Sequence, residues 1–185
     1  MKKNRRTKEY IYSIGVILFI IDQLIKMIIR KTMAIGQEIT IIPSFFSIHY
    51  VENTGAAFSI LRNKSYLFVI LATLFLLGIN HYIEKNNIER EEKIPLGLII
   101  GGILGNMIDR IAFHSVTDYL SFTFFSYSFA IFNIADMAIV IGIFLYLWSL
   151  WKEEKGKEPG EVFEKLKEKQ EKKTKRKNTK KERKG

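Results

Sequence analysis

In the stretch FNIAD, Asn133 and Asp136 lie three residues apart at the head of an apolar run. A helix there carries the amide and the carboxylate on one face. At 1.5 Å per residue, Asp136 is expected about one turn into a membrane helix, roughly 5 to 10 Å below the hydrocarbon edge. A carboxylate at the bilayer centre costs about 2.5 to 3.5 kcal/mol, so the residue is expected to face a polar cavity between helices and not lipid. The same spacing recurs in GGILGNMIDR, where Asn106 and Asp109 share a face and Arg110 follows. In IDQLIKMI, Asp22 precedes Lys26 by four residues, the favourable orientation for an ion pair on one helix. Asp118, in HSVTDYL, stands alone between two apolar blocks.

Elimination narrows the chemistry these residues permit. The three histidines, His49, His81 and His114, are scattered and no HExxH occurs, which argues against a metalloprotease. GxSxG is absent, as is a glycine-rich loop ending in lysine, so a serine hydrolase and an ATP-using enzyme are both disfavoured. The chain has no cysteine, hence no disulfide, thiolate metal site or cysteine nucleophile. Carboxylates remain. Two of them in one site, one ionised to take a proton from water and one protonated to polarise a carbonyl, can hydrolyse a peptide bond without metal or covalent intermediate.

Each group also has a plainer reading. Asp22 and Lys26 form a self-compensating structural pair, the preferred reading for them. Asn106 and Asp109 serve equally well as polar glue between helices packed through Gly101 and Gly105. Asp118 alone reads as a solvated or turn-capping residue. Two other function classes stay open on these grounds: an ion relay, since membrane carboxylates also carry protons, and a non-catalytic scaffold.

These groups must be positioned by membrane helices. Of 185 residues, 48% are hydrophobic and 26% charged, and the two kinds are segregated. Apolar blocks run from Tyr10 to Ile29, Ser65 to Ile83, Ile94 to Phe113 and Ile131 to Trp151, each near the roughly 20 residues a spanning helix needs. The fold class expected is a membrane α-helical, four-span bundle. The first run lacks a cleavage site and contains Asp22, Gln23 and Lys26, so it reads as a retained span. Lysines and arginines precede span one, fill the loop between spans two and three and follow span four, which places both termini in the cytoplasm.

Two segments are left outside. In the first, Ile39 to Ile42 and Phe45 to Val51 carry strand signals broken by Pro43 and by Asn53-Thr54-Gly55. In the second, polar and aromatic residues alternate around Phe122 to Phe129. Together they predict a small β-structured cap on the outer face. From Lys152 onward, 15 lysines and arginines oppose 8 glutamates, a balance of +7 within a total of +10. Residues 152–185 read as a basic cytoplasmic tail near anionic lipid headgroups; without stacking aromatics, no nucleic-acid partner is expected.

Taken in order, DQLIK, VENTGAAFS, GNMIDR, VTDYL and FNIAD resemble the motifs of the bacterial lipoprotein signal peptidases, the signal peptidase II family. The resemblance spans about residues 10 to 151. It implies a membrane aspartyl endopeptidase that removes signal peptides from prolipoproteins, cleaving before a diacylglyceryl-modified cysteine. It further implies Asp118 and Asp136 as the catalytic pair, with Asn53, Gly55, Asn106, Arg110 and Asn133 lining the pocket or orienting substrate. Asp22, Lys26 and Asp109 become supporting residues. The resemblance implies no cofactor or metal, inhibition by globomycin, and residence in the bacterial plasma (inner) membrane with the site toward the outer face. A monomer in contact with membrane lipids is expected. One departure is visible: the family often has glycine ahead of VxD, where this chain has His114-Ser115, which predicts a different turn into Asp118.

Overall fold

The computed structural model of the chain describes residues 2–55, 64–125 and 127–155. Helices α1 (Lys2–Thr32), α2 (Ser65–Lys85), α3 (Arg90–Phe113) and α4 (Ile134–Lys155) each contain a stretch long and apolar enough to cross a membrane. In hydrocarbon, backbone N–H and C=O groups find no water, so a spanning segment has to satisfy them internally as a helix. α2 buries almost nothing against the protein and turns Leu74, Phe75 and Leu77 outward. Such a helix is stable only where its surroundings are themselves apolar. The chain is a multi-pass membrane protein.

Small residues let the helices approach closely. A Cβ on Gly101 of α3 would stand 2.6 Å from the Gly15 carbonyl oxygen of α1, and one on Gly102 would stand 2.5 Å from the Ala135 carbonyl oxygen of α4. Ile11, Ile83, Leu96 and Ile100 form the buried apolar cluster between α1, α2 and α3. At the start of α3, Glu89 and Glu92 form a capping box, and Glu92 also accepts the Tyr82 hydroxyl of α2 at 2.8 Å. One carboxylate thereby caps one helix and ties it to the next.

The α1–α2 and α3–α4 connections build a four-stranded antiparallel sheet at one end of the helices, in the order β1 (Glu38–Ile42), β2 (Phe46–Asn53), β3 (Val116–Phe124), β4 (Tyr127–Ser128). The β1–β2 turn follows from its residues. Pro43 supplies a fixed φ, Ser44 takes φ 59°, and Phe45 N–H returns to the Ile42 carbonyl at 3.1 Å. Phe46 stacks on Phe122 and Phe122 on Phe132, with ring centres 4.7 and 5.8 Å apart. Ile29, Met33, Tyr50 and Tyr119 pack the end of α1 against the sheet.

Two expectations are corrected here. The second outer strand begins at Val116, six residues before the aromatic alternation, so Asp118 lies within β3 and not in a loop. Val116 to Tyr119 are all buried, so this half of the strand has no wet face to produce a period of two. The fourth helix starts at Ile134 and not Ile131. Phe132 is extended, exchanging hydrogen bonds with Leu120 at 2.8 and 3.1 Å.

Among the described residues two compact units are distinguished, one ending at Tyr146 and the other beginning at Leu147. In the second, Trp148 lies against Trp151 and Lys155 sits 4.3 Å from the Trp151 ring centre. The basic tail beyond Lys155 lies outside the described residues.

Candidate active site

α4 begins with Asn133 as its N-cap. Asn133 Oδ1 accepts the Asp136 N–H at 3.0 Å, and Asp136 Oδ2 accepts the Asn133 N–H at 3.3 Å. This reciprocal arrangement satisfies two donors that a helix start otherwise leaves bare. It also fixes the Asn133 amide: with Oδ1 committed to the helix, Nδ2 points away and donates to Asp118 Oδ1 at 2.6 Å. The Phe132–Leu120 pairing brings this cap beside β3. Asp136 thus sits in the first turn of α4, where the positive end of the helix dipole complements a carboxylate.

Asp118 is 2% exposed and takes a second donor, Asn53 Nδ2, at 2.9 Å. Asn53 is placed by the β2–β3 register, in which it faces Val116, and its Oδ1 accepts the Gly55 N–H at 3.0 Å. Burial first and the neighbouring Asp136 second push the Asp118 carboxyl up to about 7, against the pull of the Asn53 and Asn133 donors and the Lys26 charge. A carboxyl so placed changes protonation near neutral pH, as a proton-transferring pair requires.

Asp136 Oδ1 accepts Asn106 Nδ2 at 2.7 Å. The other atom of that amide, Asn106 Oδ1, accepts both Lys26 Nζ at 2.9 Å and Asn133 Nδ2 at 3.1 Å. Arg110, one turn further along α3, donates to the Asn106 carbonyl and to the Gly55 carbonyl, each at 3.3 Å, with its guanidinium 4.7 Å from the Phe68 ring centre.

Beneath this layer lies a buried ionic cluster. Lys26 Nζ stands 2.9 Å from Asp22 and 3.1 Å from Asp109, all three side chains fully buried. Asp22 Oδ1 accepts the Ala135 N–H at 3.1 Å, so the cluster holds the first turn of α4 directly. Asp109 Oδ2 accepts the Thr117 N–H at 3.1 Å and so also holds β3 beside Asp118. The sequence pairing of Asp22 with Lys26 is present, extended by a second acid and by Asn106 from α3. A Cβ on Gly105 would meet Asp22 at 2.5 Å, so glycine there leaves room for the carboxylate.

All ten residues singled out from the sequence, Asn53, Gly55, Asn106, Arg110, Asp118, Asn133, Asp136, Asp22, Lys26 and Asp109, join one hydrogen-bonded and ion-paired network. Sequence reasoning passed over three members. Gln23 donates to Asp109 at 3.0 Å and to the Gly105 carbonyl at 3.1 Å. Arg30 donates to Thr117 Oγ1 at 2.9 Å and approaches Asp109 at 3.6 Å. Gln23 had a signal, as a polar residue inside an apolar span; Thr117 had none. Among the described residues no group of three or more His, Asp or Glu side chains is arranged to hold a metal ion.

His114 resolves the departure ahead of Asp118. It ends α3 in the left-handed conformation, φ 58° and ψ 9°, which glycine adopts most easily. Ser65 at the start of α2 donates to the His114 carbonyl, anchoring that turn.

Four membrane helices carrying a small sheet, with paired carboxylates where they meet, define a polytopic membrane protein built around a buried acidic site. Two bacterial membrane enzymes solved by the in meso method share this architecture. One, at 2.3 Å, has TM-score 0.74 and 35% identity, covering 79% of this chain and 90% of that one. The other, at 1.9 Å, has TM-score 0.68 and 36% identity, covering 74% and 89%. The profile of the family described as Signal peptidase (SPase) II matches residues 14–152. Lipoprotein signal peptidases of Symbiobacterium thermophilum and Halothermothrix orenii are 41% and 38% identical over 145 residues, covering 77% and 78% of this chain and 95% and 97% of theirs. The chain belongs to the signal peptidase II family.

Proposed function

We propose that this protein is a membrane aspartyl endopeptidase that removes signal peptides from prolipoproteins, cutting before a cysteine that carries a diacylglyceryl group. The observation that supports this reading best is that Asp118 and Asp136, from a strand and a helix, are held by one asparagine amide. In the proposed reaction, one acid, ionised, takes a proton from water as the water oxygen attacks the scissile carbonyl. The other, protonated, donates to the carbonyl oxygen. Return of a proton to the amide nitrogen then breaks the C–N bond, leaving a carboxylate on the signal peptide and a free amine on cysteine.

In this reading Asn53, Gly55, Asn106, Arg110 and Asn133 bind or orient substrate and the acids, while Asp22, Lys26 and Asp109 support them. Residues 1–151 form the peptidase domain and residues 152–185 a tail that contacts anionic lipid. The basic residues at the ends of the spans favour cytoplasmic termini and a site toward the outer face. A monomer is the expected working unit, and globomycin is expected to inhibit. The depth of Asp136, in the first turn of α4, suits a scissile bond held near the membrane boundary by the acyl chains of the precursor.

The test is a gel-shift assay with the purified protein in bilayers. A diacylglyceryl-modified prolipoprotein should be cut just before its cysteine, as read by mass spectrometry, and globomycin should prevent the cut. No cleavage by folded protein would overturn the reading and turn attention to proton flux in proteoliposomes.

A further inference from the structure

A groove of about 500 Å³ runs along α1 against the end of α3. Phe19, Leu24, Met27 and Phe113 line its length, and Arg30 and Lys31 stand at one end. From Phe19 to Arg30 the helix rises about 16 Å, close to one leaflet's half of the roughly 30 Å hydrocarbon core. The lining contains two cations and no acid.

The cations differ in how they are committed. Arg30 is held 4.5 Å from the Phe113 ring centre, with Nη1 on Thr117 and near Asp109. No hydrogen bond to a described residue leaves its Nε or Nη2. Lys31 is exposed and makes no ion pair with a described residue. The negative charges behind them, Asp22 and Asp109, are fully buried and already face Lys26 and Arg30. Positive charge is therefore left over where the groove reaches the headgroup level.

We propose that this groove binds one anionic glycerophospholipid, an acyl chain lying along Leu24 and Met27 and the phosphodiester against Arg30 and Lys31. The diacylglyceryl group of a prolipoprotein lacks a phosphate for these cations. A zwitterionic headgroup would bring an ammonium toward them with no acid to receive it. The bound phosphate would hold the guanidinium that itself holds Thr117, the neighbour of Asp118 on β3. This inference rests on the membrane placement of α1 and not on the peptidase reading, so prolipoprotein cleavage and lipid binding can fail separately.

The test uses the full chain, delipidated in neutral detergent and titrated with phosphatidylglycerol or with phosphatidylcholine of the same acyl chains, with adducts counted by native mass spectrometry. One phosphatidylglycerol should bind about fivefold more tightly than phosphatidylcholine, the scale set by one basic side chain near an anionic lipid. Lys31→Gln should lose most of that preference, and Met27→Trp, which fills the groove, should weaken both lipids. The basic tail attracts anionic lipid in every variant alike, so the difference between wild type and Lys31→Gln reports the groove. Equal affinity for the two lipids, an unchanged preference in Lys31→Gln, or undiminished binding in Met27→Trp would each overturn the proposal.

Discussion

Asp118 and Asp136 are held by opposite ends of one amide: Asn133 donates from Nδ2 to Asp118 at 2.6 Å and accepts the Asp136 N–H on Oδ1 at 3.0 Å. Asn133 is also the cap of α4, so folding of that helix and alignment of the two acids are one event.

Asn133→Ala should therefore be worse for activity than for stability. Loss of the cap costs about 1 kcal/mol, whereas misplacing one acid by an ångström costs about 100-fold in rate. Thermal unfolding and cleavage kinetics on the same preparation check this. A purely structural Asn133 would show rate loss only in proportion to unfolded protein.

Asp118 predicts the pH response. Its carboxyl is raised to about 7 from an ordinary value of 3.8, chiefly by burial. The protonated form therefore persists toward neutrality, and activity that needs it should fall as pH rises through about 7. By the same sign, the contribution of Asp118 to stability is fully present below pH 3.8 and is lost as pH rises toward 7. Asn53 donates to the ionised form, so Asn53→Ala should move the alkaline limb to higher pH. Asp136→Asn removes a like charge and should lower the Asp118 value, read by infrared titration of the carboxyl band.

Lys26→Met should be among the most damaging changes away from the acid pair. It leaves Asp22 and Asp109 buried beside each other without their shared cation. Breaking a buried pair in this way costs about 3 to 5 kcal/mol. The expected result is a sharp fall in folded yield and unfolding temperature, with the double variant Asp22→Asn, Lys26→Met partly recovering them.

Two glycines separate packing from propensity. Gly105→Ala would set a methyl 2.5 Å from Asp22 and 3.2 Å from the Ala135 Cβ, and should destabilise by about 1 to 3 kcal/mol. Gly78→Ala meets nothing within 4 Å and should be neutral or stabilising by up to about 1 kcal/mol. Unfolding temperatures in one detergent give the comparison.

How much was legible in the sequence depends on the range of the interaction concerned. The four spans could be read because lipid demands long apolar runs, and α2, apolar nearly all round, announces its surroundings by composition alone. The β1–β2 hairpin was visible because Pro43 and the β-branched run act locally. Asp118 carried no weight by itself. Its partners Asn53 and Asn133 lie 65 and 15 residues away, and its half of β3 is buried without alternation. Asp22 and Lys26 showed as a pair because i,i+4 spacing is local, while Asp109, which makes the pair a triad, comes from α3. Thr117 and Arg30 stayed hidden for the same reason, since their contact joins α1 to β3 across 87 residues.

The central claim is that Asp118 and Asp136 act together on one peptide bond. Its most direct test is single-turnover cleavage of a diacylglyceryl-modified prolipoprotein by wild type, Asp118→Asn and Asp136→Asn, at matched folded amounts. Each single variant should lose at least about 1,000-fold, and the double variant should be no worse than either alone, because residues acting as a unit do not lose rate additively. Near-normal cleavage by either folded single variant would contradict the account.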